Sequence, residues 1–299
     1  MAKYAVIDVG TNSIKFHIAE KNAAKAWSVV ADSVDITRLG EGMQSTGKIS
    51  DEAMTRNVKA ISDMVHVFWE QDVQDIVAVG TMCLRTATNA SEFVQRVQQE
   101  CGITIEVIPG EEEARLAYIA VKSGIGLERG NLVIFDTGGG STEFIFGKDE
   151  QVEKRFSLNV GAVRFTEHVL TSDPVTQAEL DQTVAAIEKD FEELQFDGSV
   201  DALVGMGGTV TNLSAVKHQM TDYDPDVIQG SILKLAEIER QIAMYASKTI
   251  AERREIAGLQ PKRADVILAG TLIVSAIMKK AGAKQGCSSV RIFSEEKRL

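Results

Sequence analysis

The sequence is short of several things, and each shortage narrows its reading. Three cysteines (Cys83, Cys101 and Cys287) are scattered through 299 residues with no CxxC among them. Neither a disulfide framework nor a cysteine zinc site is expected, and reduced thiols are the simplest reading. Four prolines leave no linker-like or low-complexity stretch. The four histidines (His17, His66, His168 and His218) show no metal-ligand spacing, and no GxSxG or other triad motif is present. Positive charge is scarce: 32 Lys and Arg face 43 Asp and Glu, a net charge of −11. A general nucleic-acid or anionic-membrane binder would carry the opposite balance, whereas a small anion needs only a locally positive site. Long apolar runs are missing too. The stretch Val266 to Met278 is bounded by Asp265 and Lys279, short of the roughly 17–25 residues of a spanning helix. The opening Met1-Ala2-Lys3-Tyr4 runs through a short apolar stretch to Asp8, unlike a signal peptide. A soluble cytoplasmic chain with no nucleic-acid or membrane partner is expected.

What is present is a repeat. Residues 4–18 read YAVIDVGTNSIKFHI and residues 132–146 read LVIFDTGGGSTEFIF. Setting Asp8 on Asp136 (136 − 8 = 128) also aligns Gly10 with Gly138, Ser13 with Ser141 and Phe16 with Phe144. Each copy is an apolar run closed by an aspartate, a small-residue turn and a second apolar run, the signature of a β-hairpin. A chain of this length suggests two domains, and the repeat suggests that they are duplicates beginning with the same hairpin. Strands followed by helices indicate an α/β class. Ser50 precedes a helix with the stripe Met54, Val58, Ile61, Val65 and Phe68. Strands are expected over 76–79, 103–108 and 202–204. Helices are expected over 91–100, after Pro109-Gly110, from the capping box Thr176 to Glu179 on to about Leu194, over 209–218 and over 263–280. The junction is placed near 123–130, giving domains 1–125 and 126–299, with the C-terminal end able to pack back on the first.

Asp136-Thr137-Gly138-Gly139-Gly140-Ser141-Thr142-Glu143 is the segment best suited to chemistry. Glycines let backbone N–H groups converge on an anion, Ser141 and Thr142 add hydroxyls, and the flanking carboxylates suit a magnesium ion that bridges phosphate. A flexible hairpin turn would contain similar residues. The companion turn Asp8-Val9-Gly10-Thr11-Asn12-Ser13 carries the same elements, but Lys15 stands where the second copy has Glu143. Gly205-Met206-Gly207-Gly208-Thr209 lies between a strand and a helix, where free amides favour phosphate. Glu111, Glu112 and Glu113 open a helix; they suit its dipole, and one of them could serve as a general base. Gly42 to Ile49 imitates a Walker A loop but ends in isoleucine, which cannot hold magnesium.

These segments, with RLGEGM (38–43), Gly80-Thr81 and Arg85, PGEEEARLAY (109–118), FSLNVGAVRFTE (156–167), VGMGGTVTNL (204–213) and GLQPKRADVILAG (258–270), resemble the exopolyphosphatase and guanosine pentaphosphate phosphohydrolase family in its short two-domain form. The resemblance runs over about residues 1–280. It implies two ribonuclease-H-like domains of the actin, heat-shock ATPase and sugar-kinase superfamily with the active site in the cleft between them. It also implies magnesium-assisted release of a terminal phosphate from inorganic polyphosphate or guanosine pentaphosphate. The family's catalytic glutamates fall on Glu113 and Glu143. Its metal-associated positions fall on Asp136, Asp8 and Glu143. Phosphate-loop positions fall on Asn12, Ser13, Gly138, Gly139, Gly140, Ser141 and Thr142, with Arg85, Gly207, Gly208 and Arg263 as further phosphate contacts. A homodimer is suggested by the resemblance alone.

After Ala283 the family's SDRGLRxG-like ending is absent, leaving Ser289 to Phe293 as the candidate last strand. That departure weighs against processive action on long polymers. Two other functions stay open: a non-hydrolytic guanosine tetra- or pentaphosphate-binding regulator, and an ATP-dependent kinase or actin-like assembly protein of the same superfamily.

Overall fold

A computed structural model of the chain describes residues 2–11, 13–22, 27–127, 129–196, 199–285 and 289–293. They fall into two compact units, 1–113 and 114–298. In the first, β1 (Ala2–Val9), β2 (Ile14–Lys21) and β3 (Trp27–Asp35) form an antiparallel meander. Helices α1 (Met43–Thr46) and α2 (Asp51–Glu70) lead to β4 (Asp75–Gly80), and α3 (Met82–Thr86) and α4 (Ala90–Cys101) lead to β5 (Ile105–Val107). The sheet order is β3-β2-β1-β4-β5, with the last two strands parallel to β1. Ser50 caps α2 by accepting from Ala53 N. Met54, Val58, Ile61, Val65 and Phe68 are all buried, packed with Ile7, Val9, Phe16 and Ile18 of the hairpin and Phe93 and Val97 of α4. Helix α1 sits between two left-handed glycines, Gly42 and Gly47, so the Walker-like run is a short capped turn rather than a loop after a strand.

Helix α5 (Gly110–Ile125) begins in the first unit and continues into the second, so the division lies between Glu113 and Ala114 rather than after residue 125. The reason is packing: Tyr118 and Val121 are buried against Leu132, Ile134, Val204 and Met206 of the second sheet. The second unit continues with β6 (Asn131–Thr137), β7 (Thr142–Lys148), β8 (Gln151–Leu158), α6 (Ala162–His168), α7 (Gln177–Asp190), β9 (Ala202–Met206) and α8 (Gly207–Lys217). It closes with α9 (Pro225–Ile228), β10 (Ile232–Lys234), α10 (Leu235–Ala246), α11 (Ile250–Arg253), a 3-10 turn (Pro261–Arg263), α12 (Ile267–Gln285) and β11 (Ser289–Phe293). Its order, β8-β7-β6-β9-β11-β10, repeats that of the first unit and adds β10 at the edge. The pairing repeats as well: β6 with β7 and β7 with β8 are antiparallel, and β6 with β9 and β9 with β11 are parallel.

The duplication reaches irregular details. The bulge between Ile18 and Ala19 recurs between Phe146 and Gly147, 128 residues on. Bulges of this kind set local twist and register. Phe16 meets Phe68 edge-on at 5.5 Å, and its counterpart Phe144 meets Phe191 edge-on at 6.1 Å. Both units are therefore ribonuclease-H-like α/β folds.

Several elements differ from expectation in length. Strand β5 is shorter than 103–108, and Ile103 and Ile108 are buried as flanking residues. Helix α7 carries the expected capping box but stops at Asp190. Beyond it Phe191 and Leu194 fill the core from a turn, prolonging the apolar spacing past the helix end. Helix α12 starts after the 3-10 turn that carries Arg263, not at Arg263 itself. Among the described residues no helix is long and apolar enough to cross a membrane.

Candidate active site

Ligands of open α/β sheets gather at the carboxyl ends of the parallel strands, and the candidate residues of each unit lie there. In the first unit Asp8 is next to last in β1, in register with Lys15 on β2. The turn between them is closed by Gly10 N donating to Ser13 O at 3.0 Å. Asn12 lies outside the described residues. Thr81, after β4, donates its N–H to Val9 O, and Gly40 N donates to Thr11 O at 2.9 Å. This bond presses the 38–42 loop so close that a Cβ on Gly40 would collide with the Thr11 methyl.

Arg85, on α3, does not stand alone. Its Nη1 donates to Ile108 O at 3.0 Å, and its Nη2 lies 2.8 Å from Glu113 Oε2. Glu113 Oε2 makes no hydrogen bond of good angle, so the second contact is an ion pair. Glu113, in the first turn of α5, is 40% exposed in its side chain. The arginine thus fixes one oxygen of the carboxylate at the sheet edge. Their separation in sequence concealed this pairing. Close by, burial pushes the Cys83 thiol up to about 11, which removes it as a nucleophile.

In the second unit Asp136 and Glu143 are direct cross-strand partners on β6 and β7, so their carboxylates leave the same face of the ladder side by side. Glu143 Oε1 accepts from Ser141 Oγ at 2.6 Å and Ser157 Oγ at 3.0 Å. The glycine turn is closed by Gly138 N donating to Ser141 O at 2.9 Å, the bond of the first hairpin again. Its carbonyls are engaged by the next helix: Gly138 O accepts from Ala162 N, and Gly139 O accepts from Val163 N and Arg164 N, which caps the start of α6. Gly161 makes this possible, since a Cβ there would collide with Gly139 O and Gly140 C. Thr142 is buried, its hydroxyl donating to Val160 O at 2.6 Å, so it braces the loop.

The turn into α8 completes the cluster. Gly207 has φ +81°, and a Cβ on it would collide with Asp136 Oδ1. A Cβ on Gly208 would collide with the guanidinium of Arg263. Two adjacent glycines therefore admit a carboxylate and a guanidinium onto the N-terminus of α8. Met206, at its N-cap, has no side-chain oxygen with which to cap the first turn.

Among the described residues no three His, Cys, Asp or Glu side chains gather as a complete metal site. A pair of carboxylates next to a glycine turn nevertheless fits magnesium, which takes one or two carboxylates and fills its octahedron with water and substrate oxygens. Asp136 and Glu143 meet that description. Asp8, opposite a lysine, is the weaker candidate.

The Ppx/GppA phosphatase family model matches residues 17–289. The chain belongs to this family. Exopolyphosphatase 2 of Mycobacterium tuberculosis is 30% identical over 307 residues, covering 99% of this chain and 96% of that protein. A bifunctional 3-dehydroquinate synthase/phosphatase of Fusobacterium nucleatum is 31% identical, and the chain spans only 43% of its length. A guanosine-5'-triphosphate,3'-diphosphate pyrophosphatase of Photobacterium profundum is 30% identical, and the chain spans 54% of it. The crystal structure of the Aquifex aeolicus Ppx/GppA family member matches with a TM-score of 0.87 and 30% identity, covering 99% of this chain and 95% of that one. In this Ppx/GppA chain the sequence pointed to the carboxylates, the glycine turns, Arg85 and Arg263. It did not single out Ser157, which acts across the β7–β8 hairpin, or Gly161 and the loop contact at Gly40, which act between separate loops.

Proposed function

We propose that this chain is a phosphoric anhydride hydrolase that releases the terminal phosphate of inorganic polyphosphate with the aid of a divalent cation, magnesium first. The observation that carries this reading is the pairing of Asp136 with Glu143 beside the glycine turn and the arginine-bearing start of α8. Two carboxylates and a set of amides on one sheet edge suit a metal-bound phosphate chain rather than a neutral ligand. Magnesium would supply charge neutralisation of the phosphoryl oxygens as the anhydride bond breaks. Amides of the 139–141 turn and of the α8 start, with Arg263, would bind the non-bridging oxygens. Glu113, held by Arg85, would take the proton of the attacking water through its other oxygen. Ser141 and Ser157 would keep Glu143 in one rotamer. Such a reaction is accelerated chiefly by positioning and electrostatics.

Guanosine pentaphosphate is the second substrate to test. A relative bearing that specificity in its name is as similar in sequence as the exopolyphosphatase, but the match covers 54% of it against 96%. End-to-end correspondence favours polyphosphate. Incubation with polyphosphate, guanosine pentaphosphate and ATP, each with magnesium, separates the readings by phosphate release. Release from polyphosphate at the highest kcat/KM supports the proposal, and binding of guanosine pentaphosphate without release from any substrate overturns it in favour of a sensor. Size-exclusion chromatography with light scattering tests the homodimer.

A further inference from the structure

A buried asparagine ties the α8 turn to the loop that delivers Arg263. Asn212 lies in the second turn of α8 and is 2% exposed. Its Nδ2 donates to Gly208 O at 2.9 Å, and its Oδ1 accepts from Gln260 N at 2.8 Å. Asparagine is a poor residue for a helix interior, and a buried amide must satisfy both of its ends. Here each end meets backbone, one on each segment of interest. Gln260 opens the 3-10 turn Pro261–Arg263, and its carbonyl accepts from Arg263 N at 2.9 Å. One side chain therefore connects Gly208, over which the guanidinium lies, to the backbone from which that guanidinium extends. The same loop is pressed on α8 once more at Gly258, where φ is +89° and a Cβ would collide with Ala215 O. No other side-chain type of this size offers a donor and an acceptor in opposite directions.

We propose that Asn212 is a positioning residue for Arg263: it holds the loop so that the guanidinium stays over Gly208, from where it would donate to a phosphate oxygen. The proposal rests on the reading of this edge as a phosphate site and adds a residue to it. The backbone gives a selective probe. Gln260 has φ −63°, the value proline imposes, and an exposed side chain. Gln260→Pro therefore deletes the N–H that Asn212 accepts from and sets the ring Cδ in its place, so the amide must give up the loop.

Asn212→Ala, Gln260→Pro, Arg263→Ala and the Asn212→Ala/Arg263→Ala double variant are compared by phosphate release and by calorimetric titration with a non-hydrolysable imido analogue of tripolyphosphate. Arg263→Ala is expected to raise KM and weaken analogue binding by about tenfold or more, the scale of a charge-assisted hydrogen bond. Asn212→Ala and Gln260→Pro should each raise KM several-fold with kcat within twofold, and the double variant should match Arg263→Ala alone. A purely structural role predicts a lower melting temperature with KM unchanged, and that result overturns the proposal. So do multiplicative losses in the double variant. If Asn212→Ala does not fold, Gln260→Pro decides. If the native protein releases phosphate from nothing, the hydrolase reading fails, and analogue affinity unchanged by Gln260→Pro then overturns the positioning role separately.

Discussion

In the first hairpin Asp8 stands opposite Lys15, and in the second Asp136 stands opposite Glu143. The turns between them close with the same glycine-to-serine backbone bond, and both carry a bulge at the same later step. The ladders match while one cross-strand partner has the opposite charge. A lysine favours the charged form of a neighbouring carboxylate, whereas a second carboxylate disfavours it. Duplication has thus kept the scaffold and changed one partner, and under the proposed function the second turn would hold the metal while the first would not.

The sharpest test on the first unit is Glu113→Gln, expected to leave folding intact and to cut phosphate release by roughly 10²–10⁴-fold, the range for a general base. Loss of under threefold would leave that unit without a chemical role. Exchanging the charges tests the contrast itself. Glu143→Lys, which makes the second turn resemble the first, should lower magnesium-dependent turnover by about 10²-fold or more, because metal charge stabilisation is worth several kcal/mol. Lys15→Glu, the converse change, should cost only a few-fold; equal losses would break the proposed division. Next in size is a pair of glycines. Gly208→Ala must displace Arg263 and should raise KM by about tenfold. Gly140→Ala meets nothing within 4 Å of its new methyl and should leave stability within about 0.5 kcal/mol.

The smallest effect concerns the helix starts. Helix α7 has a full capping box, whereas α2 has only the Ser50 hydroxyl. The Glu179 carboxyl is lowered to about 2, first by the Thr176 N–H and then by the Thr176 hydroxyl and Ser172, against a desolvation that raises it. A carboxylate lowered on folding adds stability above its unfolded value near 4.5, and that contribution is lost as pH falls toward 2. Hydrogen exchange across that range should show the first turn of α7 opening before that of α2.

The repeat was readable because Asp, Gly, Ser and Phe recur at one offset, and a hairpin is a local structure. The α2 stripe was readable because its spacing follows the helical period over a long element. Strands β3 and β8 were not: WSVVADSVD is exposed almost throughout, and in QVEKRFSL charged residues separate the half-buried Val152 from Phe156 and Leu158. The Arg85–Glu113 pair, Gly161 beneath the glycine turn and the Asn212 bridge were hidden for another reason. Each depends on which loops meet, and a single sequence records residue types along the chain rather than approaches across it.

The passage of α5 through the division at residue 113 bears on how this protein can be split for expression. A first fragment ended at 113 would retain Glu113 on one severed helical turn, without the amides that close that turn. A second fragment begun at 114 would expose a raw helix start stripped of Glu111, Glu112 and Glu113, whose negative charge suits the dipole there. Complementary halves should instead overlap, each carrying residues 110–125, so that the shared rod is duplicated rather than cut.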